Sequence, residues 1–138
     1  NEMFTCFYSK KLTVFLMNMN LPSGNKISNQ LRIPQWIKNE KNYLSACLRG
    51  LIDTDGSIFR MSRRDNNLIR IGFTNYNRLL LEDTRNAFVI LGYHPSKIIK
   101  NRAFVISRKK DVTKYINEVG FSNDKHRRRC TIFFSLVV

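Results

Sequence analysis

The clearest pattern in the chain is a strict alternation over residues 69–74, where Ile69, Ile71 and Phe73 alternate with Arg70, Gly72 and Thr74. A period of two with β-branched and aromatic residues on one side predicts a strand with one buried and one open face. SIFRMS just upstream leans the same way, and the turn-rich RRDNN between them makes the two runs a hairpin. Helical periodicity flanks this hairpin. From Pro34 to Gly56 the pattern is helical, with a proline suited to a first turn and an Asp-Gly turn signal at the end. YNRLLLEDTRNAFVILGY predicts an amphipathic helix closed by Gly92, HPSKIIKN and RAFVISRKK a second hairpin, and DVTKYINEV a helix ending at Gly120. The order of helix, two strands, helix, two strands and helix predicts an α+β fold. Its four-stranded antiparallel sheet would be backed by helices on one face and open on the other.

The first thirty residues stand outside this unit but echo its end. FTCFYSKKLTVFLMNMNLPSGNK can be laid over FVISRKKDVTKYINEVGFSNDK at an offset of about 100 residues, with Leu21 near Phe121 and Lys26 near Lys125. The expected organisation is therefore the end of a preceding repeat plus a linker over 1–29, a complete repeat over 30–130, and an apolar tail over 131–138. On this reading an upstream half is missing.

Charge narrows the partner. Lys and Arg number 24 against 10 Asp and Glu, a net charge of +14 spread along the whole chain, which favours nucleic acid. Cys6, Cys47 and Cys130 lie far apart, and with only His94 and His126 beside them they suggest neither a zinc site nor a disulfide framework. No apolar run is long enough for a membrane span and no signal peptide is visible, so an intracellular location, cytoplasm or organelle interior, is expected.

The chemistry concentrates in LRGLIDTDG, Leu48 to Gly56. On a helical wheel Leu44, Cys47, Leu48, Leu51 and Ile52 cluster on one side, while Ala46, Gly50 and Thr54 form a small-residue stripe on another. Gly50 costs a helix about 1 kcal/mol relative to alanine, and a stripe of this kind allows a second helix to approach closely. The nine residues closely resemble the signature of the LAGLIDADG homing endonucleases, departing at Arg49 and Thr54. IPQWIK before the motif, GFTN and LGY within the unit, and GFSNDKHRR after it are similar to one branch of that family. The resemblance covers residues 1–129 and implies the αββαββα fold, in which two motif helices from two subunits or two repeats cross through the stripe.

The resemblance also implies the site. Asp55 would be the metal-binding acid, with the Thr54 carbonyl as a further Mg²⁺ ligand, serving hydrolysis of the DNA backbone. Asp53 reads as structural, capping or bonding at the helix end. A calcium loop is excluded because Ile58 stands where an EF-hand needs glycine. Lys125 matches a basic residue near the scissile phosphate, with Lys26 as its counterpart in the other repeat, and the run KHRRR reads equally as a phosphate-binding surface. Thr74 or Asn75 matches a polar position that holds active-site water.

Double-stranded DNA would lie on the open sheet face, because an antiparallel ribbon fits the major groove. Alternation from Asp55 puts Ser57, Phe59, Met61 and Arg63 on that face, and the second strand adds Leu68, Arg70 and Thr74. Lys97, Lys100 and Arg102 are candidates from the second hairpin. Phe59 and Met61 are poor base readers, so some apolar packing or a bulge is expected to intrude on that face. The function implied is a Mg²⁺-dependent double-strand endonuclease of intron- or intein-encoded type, acting as the C-terminal half of a double-motif enzyme or as a homodimer. Two alternatives stay open: a non-cleaving relative that binds DNA or RNA, such as a maturase or transcription regulator, and an inactive remnant.

Overall fold

The structure is a computed structural model that describes residues 8–25, 27–61 and 68–135. Three antiparallel strands form its sheet, β1 (Gly56–Arg60), β2 (Ile69–Thr74) and β3 (Ala103–Ile106), in the order β1-β2-β3. Ile58 pairs with Ile71, and Ile71 with Ile106. The alternation in β2 is borne out. Ile69, Ile71 and Phe73 are buried with Ile58, Phe104 and Ile106 on one face, while Ser57, Phe59, Arg70 and Thr74 occupy the other.

Helices cover the buried face. The motif helix α3 (Lys41–Asp55) inserts Leu44, Leu48 and Ile52, each fully buried, and α4 (Arg78–Ile90) contributes Leu80, Leu81, Ala87 and Phe88. α5 (Lys109–Glu118) adds Val112 and Tyr115. Aromatic rings tie these layers together. Phe88 lies 5.8 Å from Phe104 and 5.8 Å from Tyr115, and Tyr115 lies 5.3 Å from Phe121. Truncating a ring so placed costs on the order of 3–5 kcal/mol.

The expected fourth strand is absent among the described residues, and the sheet has three. HPSKIIKN makes a single bridge, Ile99 to Ala103. Two local features break the ladder. The Ser96 hydroxyl accepts the Val105 N–H that a strand would satisfy with a backbone carbonyl, and Lys100 and Asn101 both adopt positive φ (47° and 54°), turning the chain within two residues. The long helix read from Pro34 is also divided. α2 (Gln35–Asn39) ends at Glu40, whose extended backbone (φ −117°, ψ 118°) separates it from α3.

The segment ahead of α2 is pinned to α4. Buried Asp83 accepts the Ile33 N–H at 3.1 Å and Lys38 Nζ at 2.8 Å, and Asn77 Nδ2 donates to the Leu31 carbonyl at 2.8 Å. α1 (Lys10–Asn18) has no buried residue and leaves Leu12, Val14, Phe15, Leu16 and Met17 exposed. Its end repeats that of α5 at an offset of 100 residues: Asn20 (φ 60°) and Gly120 (φ 68°) both turn left-handed. At the same offset Leu12 and Phe15 correspond to Val112 and Tyr115, yet the first pair is 42% and 57% exposed and the second 2% and 0%. α6 (Asp124–Ser135) follows α5, and Thr131 to Ser135 continue it without a break. It packs along β1, where Arg60 donates to the Phe133 carbonyl at 3.0 Å and stacks 4.6 Å over the Phe133 ring.

Candidate active site and nucleic-acid interface

The site begins where α3 becomes β1 without a loop. At Gly56 a side chain has no room, since a Cβ there would sit 2.6 Å from the Ile52 carbonyl oxygen and 2.8 Å from its Cα. Glycine thus permits the helix to run straight into the strand. Asp55, the last helical residue, is held at that junction between the helix end and the open sheet face.

Asn75 fixes the carboxylate. Its Nδ2 donates to Asp55 Oδ2 at 2.8 Å, its Oδ1 accepts the Asn77 N–H at 2.8 Å, and its own N–H reaches the Arg102 carbonyl at 2.9 Å. Asn77 in turn caps α4 by accepting from the Leu79 and Leu80 N–H groups. Asn75 is buried, so Asp55 is anchored to the turn ahead of β3 and to the start of α4 through a buried side chain.

Asp53 points elsewhere. Its Oδ2 accepts the Ser122 N–H at 2.8 Å, its carbonyl accepts from Asn123 Nδ2 at 2.9 Å, and its Oδ1 is buried with no partner among the described residues. One turn earlier Arg49 donates Nε to the Val119 carbonyl at 2.7 Å. These contacts clamp the α5–α6 connection against the motif helix. Asn123 also caps α6, accepting the Lys125 N–H at 3.0 Å, so exposed Lys125 sits at a helix start tied to the end of α3. Buried His126 follows, with its ring 5.4 Å from that of Phe121. Burial lowers its pKa from the ordinary 6.5; Asp53 pushes it back up, while Arg129 and Lys125 lower it further.

The small-residue stripe is open. Ala46, Gly50 and Thr54 are exposed, and a Cβ at Gly50 would meet nothing within 4 Å. Thr54 Oγ1 bonds back to the Gly50 and Leu51 carbonyls at 3.1 and 3.2 Å, so its hydroxyl is satisfied within its own helix. Cys47 and Leu51 beside the stripe are partly buried against the core.

On the open sheet face Ser57, Phe59 and Arg70 are half-buried and Thr74 is exposed. The Phe59 ring lies over Gly72: a Cβ on Gly72 would be 3.1 Å from Phe59 Cε1 and 3.4 Å from Ser57 Oγ. Met61 and Leu68 are exposed where the hairpin continues, Met61 N–H donating to the Leu68 carbonyl at 3.4 Å. Lys97, Lys100 and Arg102 are exposed around the β3 turn. Arg63 and Lys26 lie outside the described residues.

Asp55 and Asn75 are therefore brought into direct contact, and Lys125 is anchored to the same helix end through the Asp53 clamp. Arg49, Asn77 and Asn123 join this arrangement although the sequence pattern does not point to them as site residues. The cap positions of Asn77 and Asn123 are legible as asparagines immediately before helices. Among the described residues no three His, Cys, Asp or Glu side chains cluster as a metal site, and no helix is long and apolar enough to cross a membrane. A family model described as the LAGLIDADG-like domain matches residues 42–128. No match is found among the curated proteins or the solved structures.

Proposed function

The chain belongs to the LAGLIDADG family over residues 42–128, and from that premise we propose that it is one half of a homing-type, site-specific DNA double-strand endonuclease. The carrying observation is the end of α3: an acid held at 2.8 Å by a buried amide, on a helix whose small-residue stripe is open to a partner. Two strands need two sites, and this unit carries one Asp55. The second would come from another LAGLIDADG unit packed against Ala46, Gly50 and Thr54.

The echo between α1 and α5 supports a linked repeat as that unit. Leu12 and Phe15 stand where α5 places its buried Val112 and Tyr115, so α1 presents the face with which such a helix closes a unit of its own. A second copy of this chain is the other possible partner, and solution mass separates the two.

The donor set suits Mg²⁺, a hard cation that takes one or two carboxylates and retains several waters. Asp55 and the Thr54 carbonyl, which belongs to the last helical turn where carbonyls lack intrahelical donors, would hold it, with a carboxylate from the second unit completing the set. When bound, Mg²⁺ supplies Lewis acidity and an activated water for phosphodiester hydrolysis. Asn75 orients the Asp55 carboxylate. Lys125 offers a positive charge at the start of α6 to an equatorial phosphate oxygen. The basic surface, +14 overall, binds the backbone.

The test is affinity selection of random DNA duplexes on the purified chain, followed by Mg²⁺-dependent cleavage of the selected sites by two associated units, either two copies of this chain or this chain joined to a second LAGLIDADG unit. The expectation is binding that weakens steeply with salt, by about 0.9 in log K per log unit of salt for each phosphate contact. Asp55→Asn should lose cleavage and keep binding. Duplex binding insensitive to salt, or cleavage retained by Asp55→Asn, would overturn the reading.

A further inference from the structure

The open sheet face is apolar at its centre and basic at its edge. Ser57, Phe59, Gly72, Ala103 and Val105 share this face by register, with Ser57 paired to Gly72 and Gly72 to Val105. Arg70, the cross-strand partner of Phe59, is the one cation the register places on this face in the described strands. Lys97, Lys100 and Arg102 stand at the margin around the β3 turn.

The centre is shaped by one contact. Gly72 lacks the side chain that would push the Phe59 ring outward, and the ring rests across it, with Cε1 3.1 Å and Cζ 3.8 Å from where a Cβ would be. Gly72 is buried beneath the ring. Phe59 itself is only half-buried, so one side of the ring is seated on the sheet and the rest is left toward whatever occupies the face. The Phe59 ring itself offers no hydrogen bond to a base edge. In the major groove the apolar feature of a base pair is the C5-methyl of thymine, and a phenylalanine is among the side chains that contact it.

Resting on the reading that this face receives duplex DNA, we infer that Phe59, levelled by Gly72, is a specificity residue that selects thymine through its 5-methyl group. The basic margin meets phosphate and sets affinity, whereas the apolar centre sets preference. Base recognition at this position then consists of burying a methyl group, which is worth about fourfold in affinity per methyl fully removed from water.

The experiment replaces thymine by deoxyuracil, one position at a time, in the duplexes selected on the wild-type chain, which deletes the methyl and leaves the hydrogen-bonding edge intact. One thymine position per bound unit should show a loss of about fourfold. Phe59→Ala should abolish that thymine-over-uracil ratio, and Phe59→Val, a strand-favouring side chain too short to cross Gly72, repeats the test if the alanine variant unfolds. Arg70→Ala should weaken binding and leave the ratio unchanged. Selected sites with no uracil-sensitive position, or a ratio that survives loss of the Phe59 ring, overturn the inference while leaving the endonuclease reading intact. Failure to select any duplex overturns the endonuclease reading instead.

Discussion

Asn75 Nδ2 lies 2.8 Å from Asp55 Oδ2, and Asn75 is itself buried and tied on both sides, its Oδ1 accepting the Asn77 N–H ahead of α4 and its backbone N–H donating to the Arg102 carbonyl. The acid is on the motif helix and its orienting amide follows β2, so the hydrogen bond joins the helix end to the central strand of the sheet. A carboxylate that must meet a cation and a phosphate gains from such anchoring, because a free rotamer would have to be fixed at each encounter.

Replacing Asn75 by alanine should therefore separate chemistry from binding. Outer partners of metal-binding groups are typically worth roughly 10- to 100-fold in metal affinity or activity. Cleavage of a selected site by Asn75→Ala should fall within that range, while duplex affinity changes by less than about threefold, as expected for a group that makes no phosphate contact. The variant also strips the Asn77 N–H of its acceptor, a cost of about 1–3 kcal/mol seen as a lower denaturation midpoint. Unchanged cleavage would mean that Asp55 needs no orienting partner.

Gly50 yields a prediction of unusual sign. Its Cβ position is open, and within one unit a Cβ there meets nothing within 4 Å outside its own helix backbone. Gly50→Ala should raise the stability of the isolated unit by about 1 kcal/mol through helix propensity alone. Gly50→Leu should likewise leave the unit folded, yet abolish its association with a second LAGLIDADG unit, which the stripe admits only while it is flat. Denaturant unfolding and sedimentation on the same samples check both halves. A leucine variant that still associates would move the interface away from this stripe.

Much of this arrangement is legible in the sequence because it rests on local period and local caps. The alternation from Ile69 to Phe73 reports the buried face directly, and the LRGLIDTDG run places Asp55 at a helix end. The structural role read for Asp53 agrees with its bonds to Ser122 and Asn123, though neither partner can be read from a neighbourhood seventy residues away. The expected fourth strand does not form among the described residues for a similar reason. The apolar pair Ile98-Ile99 resembles a strand, but the outcome turns on the Ser96 hydroxyl taking the Val105 N–H, a choice made in tertiary context. The same holds for TIFFS. It reads as an apolar tail until Arg60, from another element, stacks on Phe133 and draws those residues into α6.

Gly56 is required by space rather than by backbone freedom, since its φ of −98° is open to any residue. The Cβ of an alanine would fall 2.6 Å from the Ile52 carbonyl oxygen and 2.9 Å from Ile52 Cγ2, both atoms of a fully buried residue. Relief would need the helix end to shift, and Asp55 would shift with it. Gly56→Ala should cost about 1–3 kcal/mol, the range for overpacking a well-packed site, and should reduce cleavage more than duplex binding. A melting temperature within a degree of wild type would show that the junction yields without strain.

His126 supplies a pH dependence with a definite sign. Burial lowers the imidazole pKa from 6.5; the Asp53 carboxylate from α3 opposes this, and the Arg129 and Lys125 charges of α6 add to the lowering. With the folded value below the unfolded one, the unfolded chain binds the proton first, so stability rises with pH across the interval between the two. The contribution is whole above about pH 6.5 and is lost as pH falls through the folded value. Because His126 stacks beside Phe121 next to the Asp53 clamp, acid should loosen the start of α6, the turn that carries Lys125. Amide exchange at residues 124–130 should therefore accelerate between pH 7 and pH 5 more than exchange in α3, once corrected for intrinsic rates. His126→Leu should remove that excess while leaving the pH response of the rest of the chain in place. Equal acceleration in both helices would assign the acid response to another group.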